Sequence, residues 1–277
     1  MRIKHLLLVV VLMIISPLVT VSYVGYKIEK RVISIHTMKT RIHLSTLLAI
    51  AMLSVALPAV SQKKSKKAEV VTIHTSFGDM TAILHEQTPL HKANFLRLAK
   101  DHFYDSLLFH RIIENFMIQG GDPASKNAKA GERLGGGGGN MERIPAEFHP
   151  DLFHKKGALA AARDNNPEKK SSACQFYIVQ GKVYNDAELD VQLKRATGTR
   201  QATPIQREAY KSVGGTPHLD GNYTVFGQVI SGLAVLDSIA RQPKDRTDRP
   251  LKDIRMSMKV EKMKKKKIAK RYGYRFE

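Results

Sequence analysis

LFHRIIENFMIQGGDP, residues 108–123, sets an arginine inside an apolar run. Arg111 stands among Phe109, Ile112, Ile113, Phe116, Met117 and Ile118, and Gln119 follows the methionine by two. A long charged side chain enters such a run where it is paired or at work, because burying an unpaired charge is very costly. FHRII and FMIQGG read as two short strands with Glu114 and Asn115 at the turn between them. Side chains alternate faces on an extended strand, so Arg111 shares a face with Ile113, and Met117 with Gln119, with Phe116 at the bend. A cation, a thioether, an aromatic ring and an amide are thereby gathered. No second acid, serine nucleophile or metal cluster stands beside them. That is the wrong kit for hydrolysis and a reasonable one for holding an apolar ring beside a polarised amide.

Outward from this pair, short β-rich runs recur. EVVTIHT (69–75) and MTAILHE (80–86) flank SFGD and predict a hairpin. QTPLHKANFLRLAKDHFYD (87–105) predicts an amphipathic helix that plugs a core. Thr88 is its cap, Pro89 its first residue, and Phe95, Leu98, Ala99 and Phe103 lie on one face. GERLGGGGGN (131–140) reads as loop; the glycine run 135–139 is a flexible turn, since no Gly-Lys-Ser/Thr follows to make a phosphate loop. GALAAAR (157–163), CQFYIVQG (174–181) and NYTVFGQVI (222–230) are strand-like, GLAVLDSIARQ (232–242) is helical, and IRMSMKVEKM (254–263) is a last alternating strand. Many short strands, few helices and no βαβ rhythm imply a mainly β, antiparallel architecture, with a closed barrel as the usual way to hide its edges. Two helical stretches break the pattern, NDAELDVQLKRATG and TPIQREAYKSV, with Asp186 and Thr203 as expected caps. They read as a surface insertion at about 184–213.

FHRIIENFMIQGGDP (109–123), QFYIV (175–179) and HLDGNYTVFGQVISGLAVLDSI (218–239), in this order, resemble the signature of the cyclophilin-type peptidyl-prolyl cis-trans isomerases. The resemblance covers about residues 69–263, apart from the insertion. It implies a closed eight-stranded antiparallel barrel capped by two α-helices, with a proline-binding groove on its outer face. It implies that Arg111 is the catalytic arginine, hydrogen-bonding the prolyl segment as the bond twists, and that Gln119 orients it. The hydrophobic proline pocket falls on Phe116, Met117, Tyr177 and Leu219, and a further substrate-contacting glutamine on Gln175. Ala162 and Arg163 match positions that engage the residues before proline. His218 stands where many eukaryotic members have tryptophan, of which this chain has none, and Tyr223 replaces a groove histidine; both changes resemble bacterial members. No cofactor, metal or proton transfer is implied, so His110 has a packing role and Cys174 is a plain buried thiol. Proline-containing unfolded or partly folded polypeptides are the implied partners, and a monomer is expected. A non-catalytic module that only holds proline segments remains an alternative.

The chain has 277 residues and a formal net charge of +20. The first 61 residues hold seven of the 45 basic and one of the 25 acidic side chains, leaving 38 and 24 for the rest. Much of that surplus lies in KKSKK (63–67) and KMKKKKIAKRYGYR (262–275), read as solvated tails with weak affinity for anionic envelope components. No helix-turn-helix, zinc-finger or RNP-like pattern accompanies them, so no nucleic acid is expected. Two apolar runs precede the domain. LLLVVVLMIISPLVTVSYVGY (6–26) is long enough to span a bilayer. LSTLLAIAMLSVAL (44–57), after basic MKTR and before Ala59-Val60-Ser61, has the three parts of a secretory signal. Either Met38 is the true start and 1–37 an over-extension, or 6–26 is a membrane anchor and the protein a membrane-anchored scaffold. The expected organisation is therefore 1–37, a signal peptide at 38–61, a polar linker at 62–68, the isomerase-like domain at 69–263 and a basic tail at 264–277. Export to the periplasm or cell envelope follows, with membrane contact only through the N-terminal segment or the basic tails. The single cysteine excludes an internal disulfide.

Overall fold

The computed structural model describes residues 65–196 and 201–276. The chain divides into Met1–Lys63 and Lys64–Glu277. The expectations for the chain start, the membrane segment, the signal peptide and most of the linker lie outside the described residues. Among those described, no helix is long and apolar enough to cross a membrane.

The SFGD turn closes the first hairpin. Strands β1 (Lys67–Thr75) and β2 (Gly78–Leu84) pair antiparallel from Val70–Ile83 to Thr75–Gly78. Six more strands follow: β3 (Phe109–Ile113), β4 (Met117–Gly120), β5 (Ala158–Ala161), β6 (Phe176–Val179), β7 (Val225–Ser231) and β8 (Met256–Lys264). They form one antiparallel sheet in the order β3-β4-β6-β5-β7-β2-β1-β8. The sheet is curled but open, and its two ends approach each other through the residues flanking β3 and β8. Phe109 N–H donates to Ile254 O at 2.9 Å and Met256 N–H to Leu107 O at 2.8 Å. Among the described residues only one bridge, Leu108 with Arg255, joins the two sides, and no ladder links β3 to β8. The fold is therefore a mainly β, eight-stranded curled antiparallel sheet, and regular pairing does not close it.

The concave side holds the core. Val71, Ile73, Met80, Ala82, Ile112, Ile118 and Ile178 point inward from the strands. Helix α1 (Pro89–Lys100) adds Phe95, Leu96, Leu98 and Ala99, as its spacing predicts. Helix α4 (Leu233–Ala240) adds Leu236, Ile239 and Ala240. Phe95 lies 5.1–5.4 Å, ring to ring, from Tyr104, Phe176 and Phe226, separations at which aromatic pairs attract beyond their buried area.

Local chemistry departs from the sequence expectation in several places. Thr88 makes no capping bond at α1. Glu147 does so from far along the chain, accepting from the main-chain N–H of Leu90 at 3.0 Å and of His91 at 2.9 Å. A carboxylate there also suits the positive end of the helix dipole. In the insertion, α2 (Asp186–Arg195) is capped one residue earlier than expected, by Asn185 with Glu188, while Thr203 with Gln206 caps α3 (Pro204–Ser212). The basic tail is not merely solvated. After β8, helix α5 (Lys265–Tyr272) buries Ile268 against Ala68, Val70 and Ile83, covering the outer face of the first hairpin while its lysines face water. The first strand accordingly starts at Lys67, inside the expected linker.

Candidate active site

The β3–β4 hairpin presents the opening motif. Arg111 lies opposite Gln119 and Ile113 opposite Met117, so all four fall in one patch. Asn115 adopts φ 63° at the tip, a left-handed conformation that asparagine tolerates better than most residues. Gln180 fixes this turn: its side-chain Oε1 accepts from Asn115 N–H at 2.6 Å, and its own N–H, with that of Gly181, donates to Phe116 O at 3.0 Å. Phe116 is thereby held at the mouth of a pocket.

That pocket is the second apolar cluster, on the outer side of the sheet. Met117, Ala160, Ala162, Tyr177 and Val225 form it, and Phe116, Leu219 and Tyr223 pack against it. His218 stacks on Phe116, centroids 5.8 Å apart and planes 23° apart. Tyr223 meets Tyr177 edge-on at 5.9 Å. The Arg163 guanidinium lies 4.7 Å over the Tyr223 ring, and its Nε donates to Asn222 O at 2.9 Å. Arg163 therefore braces the rim.

Arg111 stands beside this pocket, half-exposed. Its Nε is 3.5 Å from Asp248 Oδ2, a carboxylate that no sequence pattern marks, since it comes from a loop well over a hundred residues later. Gln119 faces Arg111 in register but is turned to Gln175, its Nε2 donating to Gln175 Oε1 at 3.0 Å. Gln175 in turn donates to Gly135 O at 3.0 Å and Gly137 O at 2.9 Å. Asp122 accepts from Gly135 N–H at 2.5 Å and Gly137 N–H at 3.2 Å. The glycine run, expected to be a flexible turn, is thus pinned on both sides and borders an open cleft of about 420 Å³ with Gln119, Ala162, Arg163 and Gln175. Every predicted site residue falls on this pocket or this cleft, apart from Arg111, which stands between them on the hairpin.

His110, beside Arg111, is buried, and burial first and then the neighbouring arginines lower its pKa to about 4, against a partial opposing pull from Asp122. It is neutral at ordinary pH, which suits packing. Cys174 is buried, and burial raises its thiol pKa.

A serine–histidine–glutamate array went unread in the sequence. His91 Nδ1 lies 2.6 Å from Glu147 Oε2 and its Nε2 2.9 Å from Ser171 Oγ. The spacing is that of an activated nucleophile, but Ser171 is 1% exposed and the cavity beside His91 measures about 10 Å³, room for one water and no acyl substrate. The array staples α1 to the 144–171 bridge. Residues of all three kinds are separated by dozens of positions, so no spacing in the sequence could reveal it.

Residues 70–260 match the family model described as cyclophilin type peptidyl-prolyl cis-trans isomerase/CLD. A Streptococcus pyogenes protein assigned as a bifunctional phosphatase/peptidyl-prolyl cis-trans isomerase is 40% identical over 187 residues, which are 66% of this chain and 37% of that one. A Staphylococcus aureus protein assigned as a peptidyl-prolyl cis-trans isomerase is 38% identical over 194 residues, 69% of this chain and 91% of that one. The chain thus spans little more than a third of the streptococcal relative and most of the staphylococcal one. Among solved structures, a cyclophilin-type isomerase of Cryptosporidium parvum aligns with a TM-score of 0.49 at 24% identity, covering 70% of this chain and 98% of that one.

Proposed function

The chain belongs to the cyclophilin-type peptidyl-prolyl cis-trans isomerase family and is a peptidyl-prolyl cis-trans isomerase, and we propose that it works through Arg111 and the pocket beside it. Rotation about an X–Pro bond faces a barrier of about 20 kcal/mol and takes tens of seconds or more unaided. Twisting breaks the amide resonance, so the prolyl nitrogen becomes pyramidal and accepts a hydrogen bond that the planar form cannot. A guanidinium donor at that point binds the twisted state better than either planar one, which is the condition for catalysis. About 1.4 kcal/mol of that preference is worth tenfold in rate. Phe116, Met117, Leu219 and Tyr177 grip the ring while the chain before it turns, with His218 and Tyr223 at the rim. Gln175, Ala162 and Arg163 receive the preceding residues along the cleft, and Gln119 orders Gln175. The chemistry moves no proton and uses no cofactor.

What supports this reading is the position of a half-exposed guanidinium at the edge of an apolar, aromatic-lined pocket. In the same reading the curled sheet closes at the Leu108–Arg255 bridge into a barrel, and the domain acts as a monomer. The signal-like segment at 44–57 supports export and clients among exported proline-containing chains, with the membrane met only through the N-terminal segment or the basic C-terminal residues. The test is a prolyl-peptide isomerisation assay on the purified full chain. Acceleration of cis-to-trans exchange is expected; binding of the peptide without acceleration would instead identify a proline-holding chaperone.

A further inference from the structure

Behind the pocket lies a buried polar chain that the isomerisation step does not use. Tyr177 Oη is 2.9 Å from His154 Nε2. His154 Nδ1 is 2.8 Å from Asp220 Oδ1, and its main-chain N–H donates to the same oxygen at 2.9 Å. Tyr210 Oη donates to Asp220 Oδ2 at 2.7 Å. His154, Tyr177 and Tyr210 are all buried. A carboxylate only accepts, so His154 carries its proton on Nδ1 and offers Nε2 to the Tyr177 hydroxyl. Burial holds the Tyr177 phenol well above its usual pKa, so it stays a donor.

The ends of this chain are anchored in different places. Tyr177 is a wall of the proline pocket and stacks on His154 at 6.0 Å. Asp220 directly follows His218 and Leu219, the opposite wall, on a short 3-10 turn, Pro217–Leu219. Tyr210 belongs to α3 of the helical insertion and packs with Phe153, Tyr184 and Leu189. One carboxylate therefore joins two pocket walls to the helical segment that holds Tyr210.

We infer that Tyr210 is a positioning residue for prolyl-ring binding: through Asp220 and His154 it fixes the Tyr177 ring and the His218–Leu219 wall, so the insertion sets the shape of the pocket. The inference rests on the isomerase reading and deepens it. Each member of a buried network depends on its neighbours, and removing one leaves a partner unsatisfied in an apolar setting. The pocket holds the ring in the planar and the twisted states alike, so its loosening raises KM and leaves kcat nearly unchanged.

The test uses the full chain, an Ala-Pro tetrapeptide, steady-state isomerisation and calorimetric Kd. Tyr210→Phe is expected to raise KM and Kd about threefold to tenfold, the worth of one net hydrogen bond, with kcat within about twofold. Tyr177→Phe, at the other end, is expected to raise them too, and the double variant to be no worse than the weaker single because both break one chain. Arg207→Gln cuts the α2–α3 ion pairs to Asp186 and Asp190 without touching Asp220, and it is expected to leave KM and Kd at the wild-type values. Wild-type KM and Kd in Tyr210→Phe, an equal rise in Arg207→Gln, or multiplicative effects in the double variant would each overturn the inference. If the wild type binds the peptide but accelerates nothing, the proposed catalysis fails while the Kd comparison still decides this point. A wild type that neither binds nor turns over the peptide overturns both.

Discussion

Arg111 is aimed by more than its own strand. Asp248 lies at φ 66°, a conformation that costs a non-glycine residue on the order of 1 kcal/mol. It is kept there from several sides: Ile112 N–H donates to its carbonyl at 2.9 Å, Lys244 Nζ to Oδ1 at 2.7 Å, and Arg111 Nε approaches Oδ2 at 3.5 Å. The pair is partly exposed, so its worth is at most about 1 kcal/mol. Asp248→Asn is accordingly expected to lower kcat about twofold to fivefold with little change in KM; a rise in KM alone would mean that Asp248 serves binding instead. Sequence reasoning found Arg111 because a cation in an apolar run is conspicuous. It missed Asp248 because a carboxylate in a polar loop is not. His110 gives a second residue-scale outcome. Its folded-state pKa of about 4 lies below the ordinary 6.5, so the unfolded chain binds the proton more readily. The stabilising contribution is complete above pH 6.5 and is lost as pH falls towards 4. The thermal midpoint should therefore fall across that window, less steeply in His110→Gln, while kcat/KM per folded molecule stays flat across the same window, because no proton moves in the reaction. An activity profile that tracked His110 would contradict its packing role.

At the scale of elements, alternation and helical spacing disclosed most of what is there. The first hairpin, α1, α4 and both insertion helices follow from local pattern, because burial on one face dictates period 2 or period 3.6. Contacts between distant segments were not legible. Glu147 caps α1 from 56 residues beyond His91, and Asp122 and Gln175 pin a glycine run whose composition alone reads as mobile. The clearest miss is α5. Its lysines dominate the composition and suggest a solvated tail, yet Ile268 is 0% exposed on the outer face of β1 and β2. Ile268→Ala removes that contact and is expected to cost about 2–4 kcal/mol of stability. Denaturant unfolding measures it, with isomerase activity per folded molecule unchanged since α5 lies away from the pocket. A loss below about 0.5 kcal/mol would show that α5 is only loosely docked.

Over the whole molecule, the curled sheet separates two duties. Its concave side carries the core that α1 and α4 fill, and its outer side carries the pocket, bounded by β4, β5, β6 and β7. The strands supply rigid positions for Met117 and Tyr177, the β3–β4 turn supplies Phe116, and segments outside the strands supply Ala162, Arg163, Asp248 and the His218–Leu219 wall. Mainly β antiparallel character was readable from short alternating runs. How closely the sheet's edges approach was not, because the one bridge and few main-chain hydrogen bonds found among the described residues leave no side-chain pattern. The hydrophobic members of the site were readable only through the long motif that contains them, since Phe116 and Met117 alone would pass for core. The helices α2 and α3 were readable from pattern, but their link to the pocket through Tyr210 and Asp220 emerged only in three dimensions. The most direct test of the central claim is the isomerisation rate of Arg111→Ala against wild type on one proline peptide. A fall of about a hundredfold or more in kcat/KM, with the peptide Kd little altered and the thermal midpoint retained, is expected for a donor that acts mainly on the twisted state. A variant as fast as the wild type would contradict it.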